Sequence, residues 1–338
     1  LRGNGMKAIA LLSGGLDSIL AVKVVSMQGV EIEAVHFTSV FHENQRDSAP
    51  IETTAGVLGV HLRILDISED LFGIIKNPKH GYGSNVNPCI DCHAFMFKKA
   101  GEYMRETGAS FLITGEVLGE RPMSQKKPAL RIVEKESGMN GLILRPLSAK
   151  LLEPTIPEQK GWVDREKLLA IEGRSRKPQI ELARQFGINK YPTPAGGCLL
   201  TDPGFANRMR DLMQYKPDFS VSDVNLLKVG RLFRITKEAV LAVGRDKEEN
   251  GRLLKLAADG DIFFYPVKRK GPTGLGRGVF GEGDILTASG IIARYSDKDS
   301  NASALDRLEI AHKVFNEKKS THVEVLPMPE KELETIRI

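Results

Sequence analysis

The stretch Lys7–Val22, KAIALLSGGLDSILAV, runs a short apolar segment into Ser13-Gly14-Gly15-Leu16-Asp17-Ser18 and out into a second apolar segment. Lys7 to Leu12 reads as a buried strand and Ser18 to Gln28 as a helix closed by Gly29, so the glycine pair falls on the turn between them. Such a turn offers free backbone N–H groups and the positive end of a helix dipole to an anion. Gly14 and Gly15 let the backbone approach phosphate oxygens, Ser13 and Ser18 can donate from their hydroxyls, and Asp17 beside an anion makes sense as a holder of Mg²⁺. The Gly-Lys-Ser/Thr ending of the common nucleotide loop is absent, which argues against ordinary cleavage at the γ-phosphate. Taken alone, a Gly-Gly turn before a helix is also a plain connection.

Outward from this stretch the first half alternates. Ile32 to Phe37, His61 to Ile67, Phe111 to Thr114 and Leu142 to Leu144 read as further strands, and Thr53 to Leu58 and Ile90 to Thr107 as helices, with a loop from Gly73 to Pro88. That order predicts an α/β fold, an open and mostly parallel sheet with helices on both faces. Ligands of such sheets lie at the carboxyl ends of the strands, where SGGLDS, His36-Phe37 and Thr114-Gly115-Glu116 all fall. A helix is expected over Pro178 to Phe186, followed by the turn-rich YPTPAGGC. Beyond Asp223 the β-prone runs Ala239 to Val243, Ile262 to Val267 and Ile285 to Ala293, with a helix from Ala302 to Phe315, predict a small α+β C-terminal domain. The expected divisions are 6–204, a linker at 205–222, the second domain at 223–320 and a tail at 321–338.

Composition sets wider bounds. At 338 residues and 41% hydrophobic content the chain can bury a full core, and 48 basic against 43 acidic residues give a net charge of +5, compatible with a nucleic-acid partner without requiring one. No apolar run approaches the roughly 18 residues that span a bilayer, and Leu1–Gly5 is too short and polar for a signal peptide, so a cytoplasmic protein without membrane contact is expected. Three cysteines cannot all pair within the chain. Cys89 and Cys92 form a C-x-x-C at a helix start, open to reading as a zinc half-site, a redox pair or neither, and Cys198 lies on the Pro- and Gly-rich loop.

SGGLDS after an N-terminal strand resembles the pyrophosphate loop of the ATP pyrophosphatase families, whose fold is that of the adenine nucleotide alpha hydrolases and which cleave ATP between the α and β phosphates. The resemblance implies ATP and Mg²⁺ at Ser13, Gly14, Gly15, Asp17 and Ser18, with adenine near His36, Phe37, Thr114 and Gly115. Asn87 to Leu147, including TGEVLGE and LILRPL, resembles the tRNA 4-thiouridine synthetases and, more distantly, the tRNA 2-thiouridylases. That likeness implies a sulfurtransferase acting on tRNA. Asp17, Cys89, Cys92 and Cys198 would then be its catalytic residues, the three thiolates binding a four-iron, four-sulfur cluster with one iron left open. The absence of a sulfur-carrier segment implies free sulfide or a separate donor protein, and a homodimer is compatible. Related readings are another adenylating enzyme, a desulfurase of thiolated bases, or a nucleotide- and RNA-binding protein without catalysis. VLAVGRDKEENGRLLKLAADGDIFFYPVKRKGPTG is similar to the RNA-binding domain of the NFACT family through Val243-Gly244-Arg245, Asn250 and Asp261-Ile262-Phe263. The basic residues Lys268, Arg269, Lys270 and Arg277 beside it are expected to contact RNA phosphates.

Overall fold

The strand that begins the chain's first unit is followed by enough alternating strands and helices to build a doubly wound sheet. A computed structural model describes residues 5–42, 49–189, 191, 197–297 and 306–338, and these divide into two units, Leu1–Thr201 and Asp202–Ile338. In the first unit β1 (Lys7–Leu11), α1 (Leu16–Ser26), β2 (Glu31–Thr38), α2 (Ala49–Leu58), β3 (His61–Asp66), α3 (Asp70–Lys76) and α4 (Cys89–Glu106) are followed by β4 (Phe111–Thr114), α5 (Lys127–Ser137), β5 (Ile143–Leu144), α6 (Ile156–Gln159) and α7 (Lys177–Gln185). The strands lie in the order β3-β2-β1-β4-β5, and every pairing is parallel.

Period-2 alternation in β1 sorts its side chains between two cores. Ala8 and Ala10 face α1, α2 and α7, while Ile9 faces α4 and α5. The small alanines let α1 lie close, and Leu16, Ile19, Leu20, Val22, Val24 and Val25 bury almost all of that helix. Each large side chain so buried contributes roughly 1.5–3 kcal/mol. Trp162 packs as expected of a structural residue, stacked on Phe111 with ring centroids 6.2 Å apart. Strand order reverses direction between β1 and β4, so the Ser13–Ser18 turn sits at the switch point where such sheets bind ligands.

The second unit contains α8 (Pro203–Tyr215), α9 (Val221–Leu226), β6 (Arg231–Arg234), β7 (Ala239–Val243), α10 (Lys247–Leu256), β8 (Ile262–Pro266), β9 (Gly274–Gly278), α11 (Glu282–Tyr295), β10 (Leu308–Val314), β11 (Thr321–Val325) and α12 (Glu330–Ile336). Its antiparallel sheet runs β11-β10-β8-β9-β7-β6. Four sequence expectations are corrected here. Ile285–Ala293 is helical: its β-branched residues suggested a strand, but Ala288, Ile291 and Ile292 form the buried stripe of α11. The expected helix ending at Phe315 is β10 over Leu308–Val314, because pairing with both β8 and β11 overrides local preference; residues 302–305 lie outside those described. The expected linker at 205–222 is largely α8 and the start of α9, and the expected tail at 321–338 supplies β11 and α12, whose Leu333 is fully buried. The fourth concerns Arg277, expected on a basic surface.

Arg277 lies on β9 with its side chain 11% exposed, and bonds Asp261 at 2.8 Å, Asp223 at 3.3 Å and the Leu256 carbonyl at 3.0 Å. It is an internal tie between β9, α9 and the turn before β8. Removing one member of a buried ion network leaves the others charged and unpaired, so Arg277→Met should destabilise the protein by about 3–5 kcal/mol. Urea denaturation of the full chain measures this; an unchanged midpoint would mean that the two carboxylates regain water.

Candidate functional site

The turn after β1 owes its shape to glycines at two places. Gly14 has φ +81°, a left-handed conformation that suits glycine, and Gly15 is the extended cap of α1 with no side chain satisfying the first helical N–H groups. The Ser18 hydroxyl donates to the Gly15 carbonyl at 2.8 Å and accepts from Ser13 at 3.2 Å, so the two expected hydroxyls hold the turn together. At the end of β4, a Cβ added to Gly115 would stand 2.4 Å from the Ser18 nitrogen and 2.6 Å from the Asp17 carbonyl carbon. Only a glycine lets β4 come this close. Thr114 and Gly115, expected near adenine, are therefore also the wall that supports the anion-binding turn.

Around Asp17 gather groups that the sequence did not single out. Burial pushes the Asp17 carboxyl above its usual range, against the lowering effect of Arg176, Gln179 and Arg121. Glu120 is raised likewise, by burial first and then by the Asp17 charge. Two carboxylates facing an anion-binding turn suit Mg²⁺, which is bound by one or two carboxylates together with phosphate oxygens. Asp17 Oδ1, Arg176 Nε and both side-chain polar atoms of Gln179 are buried without hydrogen-bond partners. Native proteins pair nearly all such groups, and each one left alone costs about 1–3 kcal/mol. These are the atoms that a metal-bound phosphate would satisfy.

On β2, His36 and Phe37 point to opposite faces. The His36 Nδ1–H donates to the Leu12 carbonyl at 2.8 Å, and burial lowers its pKa, so the ring is neutral with Nε2 left as an acceptor. Phe37 packs into the core beneath α4 and α5. Beyond Gly115, Glu116 receives the Arg145 Nε at 2.9 Å and the His93 Nδ1 at 3.1 Å, and Arg145 also bonds Glu134. Burial works to raise the Glu116 pKa, but the Arg145 charge and the His93 bond outweigh it and hold it below the usual value. Its contribution to stability is thus present above the ordinary glutamate range and is lost as pH falls through its lowered pKa. His93, beside Cys92 in sequence, is half-buried and ties α4 to the end of β4 through Glu116.

The cysteines meet at the same end of the sheet. Cys89 and Cys92 begin α4, and Cys198 precedes a short helical turn at Leu199–Thr201; residues 192–196 of its loop lie outside those described. All three are free and half-buried. Burial pushes each thiol up, Cys198 to about 11, and Cys92 is raised further by Cys198 and Cys89. Mutual influence of this kind requires that the three lie near one another. Among the described residues no group of three or more His, Cys, Asp or Glu is arranged to hold a metal. The Arg121 charge opposes the upward shift of Asp17, Cys89 and Cys198 alike, so the turn and two of the thiols lie around one guanidinium.

In the second unit Lys268 and Lys270 are exposed, Lys268 pairing with Glu309 at 2.9 Å, and Arg269 is half-buried. A cavity of about 380 Å³ lies near them, lined among others by Arg231, Arg245, Lys247, Asn250 and Tyr295. The Arg231 guanidinium stacks 4.6 Å from the Tyr295 ring centroid.

Residues 3–151 match the family model described as thiamine biosynthesis protein (ThiI), and residues 230–337 match that of the NFACT protein RNA binding domain. The first of these segments is thus ThiI-like and the second NFACT-like. A probable tRNA sulfurtransferase of Lysinibacillus sphaericus is 32% identical over 164 residues, 47% of this chain and 39% of its own. The tRNA-specific 2-thiouridylase MnmA of Pelobacter propionicus is 32% identical over 117 residues, 32% of this chain and 33% of its own. The chain thus spans about two-fifths or less of these curated relatives. A solved 4-thiouridine synthetase–RNA complex with bound ATP shares 23% identity and a TM-score of 0.36, covering 56% of this chain and 55% of that one. No helix among the described residues is long and apolar enough to cross a membrane.

The ThiI-like unit should be intolerant of any side chain at Gly115. Gly115→Ala is expected to destabilise by at least about 1–3 kcal/mol, since the clash is with backbone that cannot swing aside. It should also weaken pyrophosphate binding. Heat denaturation and calorimetric titration with pyrophosphate test both effects, and parent-like values in both would refute the close packing.

Proposed function

We propose that the protein is an ATP-dependent tRNA sulfurtransferase. A uridine carbonyl oxygen attacks the α-phosphorus of ATP and the uridine N3 proton leaves. Pyrophosphate departs, hydrosulfide adds to the activated carbon, and the C–O bond breaks to release AMP. The observation that carries this reading is that one guanidinium, Arg121, acts on Asp17 of the anion-binding turn and on the Cys89 and Cys198 thiols, with Cys92 beside them, which puts an activating and a sulfur-handling group near one another. The family matches and the names of the relatives support it.

Each residue has a part in this scheme. Backbone N–H groups at Gly14 and Gly15, with the Ser13 and Ser18 hydroxyls, hold the leaving pyrophosphate; Asp17, with Glu120 beside it, holds Mg²⁺. His36, Thr114 and Gly115 border the adenine, with Phe37 contributing through its backbone while its ring packs beneath α4 and α5, and the His36 Nε2 accepts a hydrogen bond. Catalysis then rests on alignment and on neutralising charge as two anionic partners meet. Cys89, Cys92 and Cys198 would hold a four-iron, four-sulfur cluster. Three crowded, desolvated thiols favour a cationic centre that takes their protons' place. When bound, the cluster supplies an open coordination position for hydrosulfide, delivered as sulfide or by a separate donor protein.

Labelled ATP should yield AMP and pyrophosphate; ADP and phosphate would overturn the assignment of the loop. Cells lacking the protein should lose a thiolated uridine on mass spectrometry of tRNA nucleosides. Cys198→Ala should abolish thiolation and bound iron while leaving ATP binding near the parent's, and stoichiometric zinc without iron in the parent would overturn the cluster.

The second unit holds the tRNA. Lys268, Arg269 and Lys270 attract phosphates, and the cavity lined by Arg231, Arg245 and Lys247 adds further cations, partly offset by Asp246 and Asp297 at its wall. Arg277 contributes indirectly, by bracing β9 from within. Binding should weaken with salt along a log–log slope of about −0.7 to −0.9 per phosphate neutralised. Replacing Lys268, Lys270, Arg245 and Lys247 by alanine should flatten that slope without changing ATP affinity. An unchanged slope would move the RNA contact elsewhere.

A further inference from the structure

Gln179 is a misfit for a structural residue. It lies on the buried side of α7 with no solvent exposure, in a helix whose Ala183 joins the apolar core against α1, yet neither its amide oxygen nor its amide nitrogen has a partner. A hydrophobic side chain of the same length would fill this space without leaving a donor and an acceptor unmet. Two further orphaned atoms, Asp17 Oδ1 and Arg176 Nε, belong to close neighbours: Arg176 and the Gln179 amide both act to lower the Asp17 pKa, the amide from near hydrogen-bond range although it makes no bond of full geometry. Together they supply a carboxylate oxygen, an amide oxygen, an amide donor and a guanidinium donor. A buried water, with two donors and two acceptors, matches this set in number, and so does a divalent cation carrying phosphate oxygens: the cation takes the carboxylate and amide oxygens and the phosphates take the two N–H donors; the place of Asp17 on the anion-binding turn favours the second.

We infer that Arg176 and Gln179, at the start of α7, are positioning residues of the metal–pyrophosphate end of the nucleotide site, a role resting on the proposed adenylation. Asp17 and Glu120 place negative charge next to a polyphosphate, and the Arg176 charge offsets both. Pyrophosphate gains charge as its bond to the α-phosphorus breaks, so a fixed guanidinium there favours its departure. Gln179 adds no charge. It orients Asp17 toward the metal and keeps that oxygen from being captured by Arg176.

The test compares the full-length parent with Gln179→Leu and Arg176→Met, reading apo thermal midpoint and calorimetric binding of α,β-methylene-ATP and of pyrophosphate, each with Mg²⁺. Gln179→Leu should raise the apo midpoint by about 2–4 °C, because it removes unmet polar atoms, and should weaken the analogue on the order of tenfold. Arg176→Met should weaken pyrophosphate on the order of tenfold or more and leave the apo midpoint within about 2 °C of the parent. Gln179→Asn, which keeps the amide on a shorter stem, should recover part of the lost affinity. If the parent binds the analogue while both variants match it, or if Gln179→Leu lowers the midpoint and keeps full affinity, the residues are structural and the inference falls alone. A parent that binds neither ligand removes the adenylation reading and this inference with it.

Discussion

The contact on which the first unit depends is backbone against backbone: Gly115, at the end of β4, lies against Asp17 and Ser18 at the start of α1 with no room for a Cβ. It joins the two strands between which the sheet changes winding direction, β1 and β4, through the elements that follow them. Because the contact is made by main chain, it sets the height of the anion-binding turn relative to the sheet independently of any side-chain rotamer. Thr114 and Glu116, either side of Gly115, are placed by the same contact. Glu116 carries the constraint onward through His93 to α4, whose first turn bears Cys89 and Cys92.

Buried charge is treated in two ways in this protein. Glu116 with Arg145, His93 and Glu134, and Arg277 with Asp261 and Asp223, are networks whose members meet at hydrogen-bond distance, with only Arg145 Nη2 left without a partner. Such networks are costly to break and hold their surroundings in one arrangement. Asp17, Arg176 and Gln179 are the reverse, brought together but left with atoms unmet. The bonded networks brace strand ends and helices, and the open one lies where the sheet's ligands bind. The cysteines belong with the open group: crowding and burial disfavour three thiolates in the absence of positive charge, and Arg121 supplies part of it.

Much of the first unit was legible in the sequence. Short apolar runs separated by longer periodic ones read directly as β1, α1, β2, β3, α4 and β4, and SGGLDS announced its turn, because these are local patterns with local causes. The three cysteines were likewise recognisable as a set before their proximity was known. Arg176 and Gln179 carried no such mark. In sequence they are an arginine before a helix and a glutamine within it, and only the packing of α7 on α1 makes one of them a buried amide beside Asp17.

In the second unit the balance shifts. Ile285–Ala293 and Leu308–Val314 each contain enough β-branched and alanine residues to satisfy either period, and the choice went to tertiary pairing: β10 lies between β8 and β11, and α11 covers them. Arg277 stood in sequence beside Lys268, Arg269 and Lys270 as one more cation. Its inward direction follows from β9 pairing with both β7 and β8, which turns alternate residues toward Asp261 and Asp223. The sequence by itself therefore determined the main strands and helices of the first unit, the turn at Ser13–Ser18 and the candidate thiols. Tertiary structure decided which charges are sealed, which are left open and which face solvent, because those depend on neighbours far away along the chain.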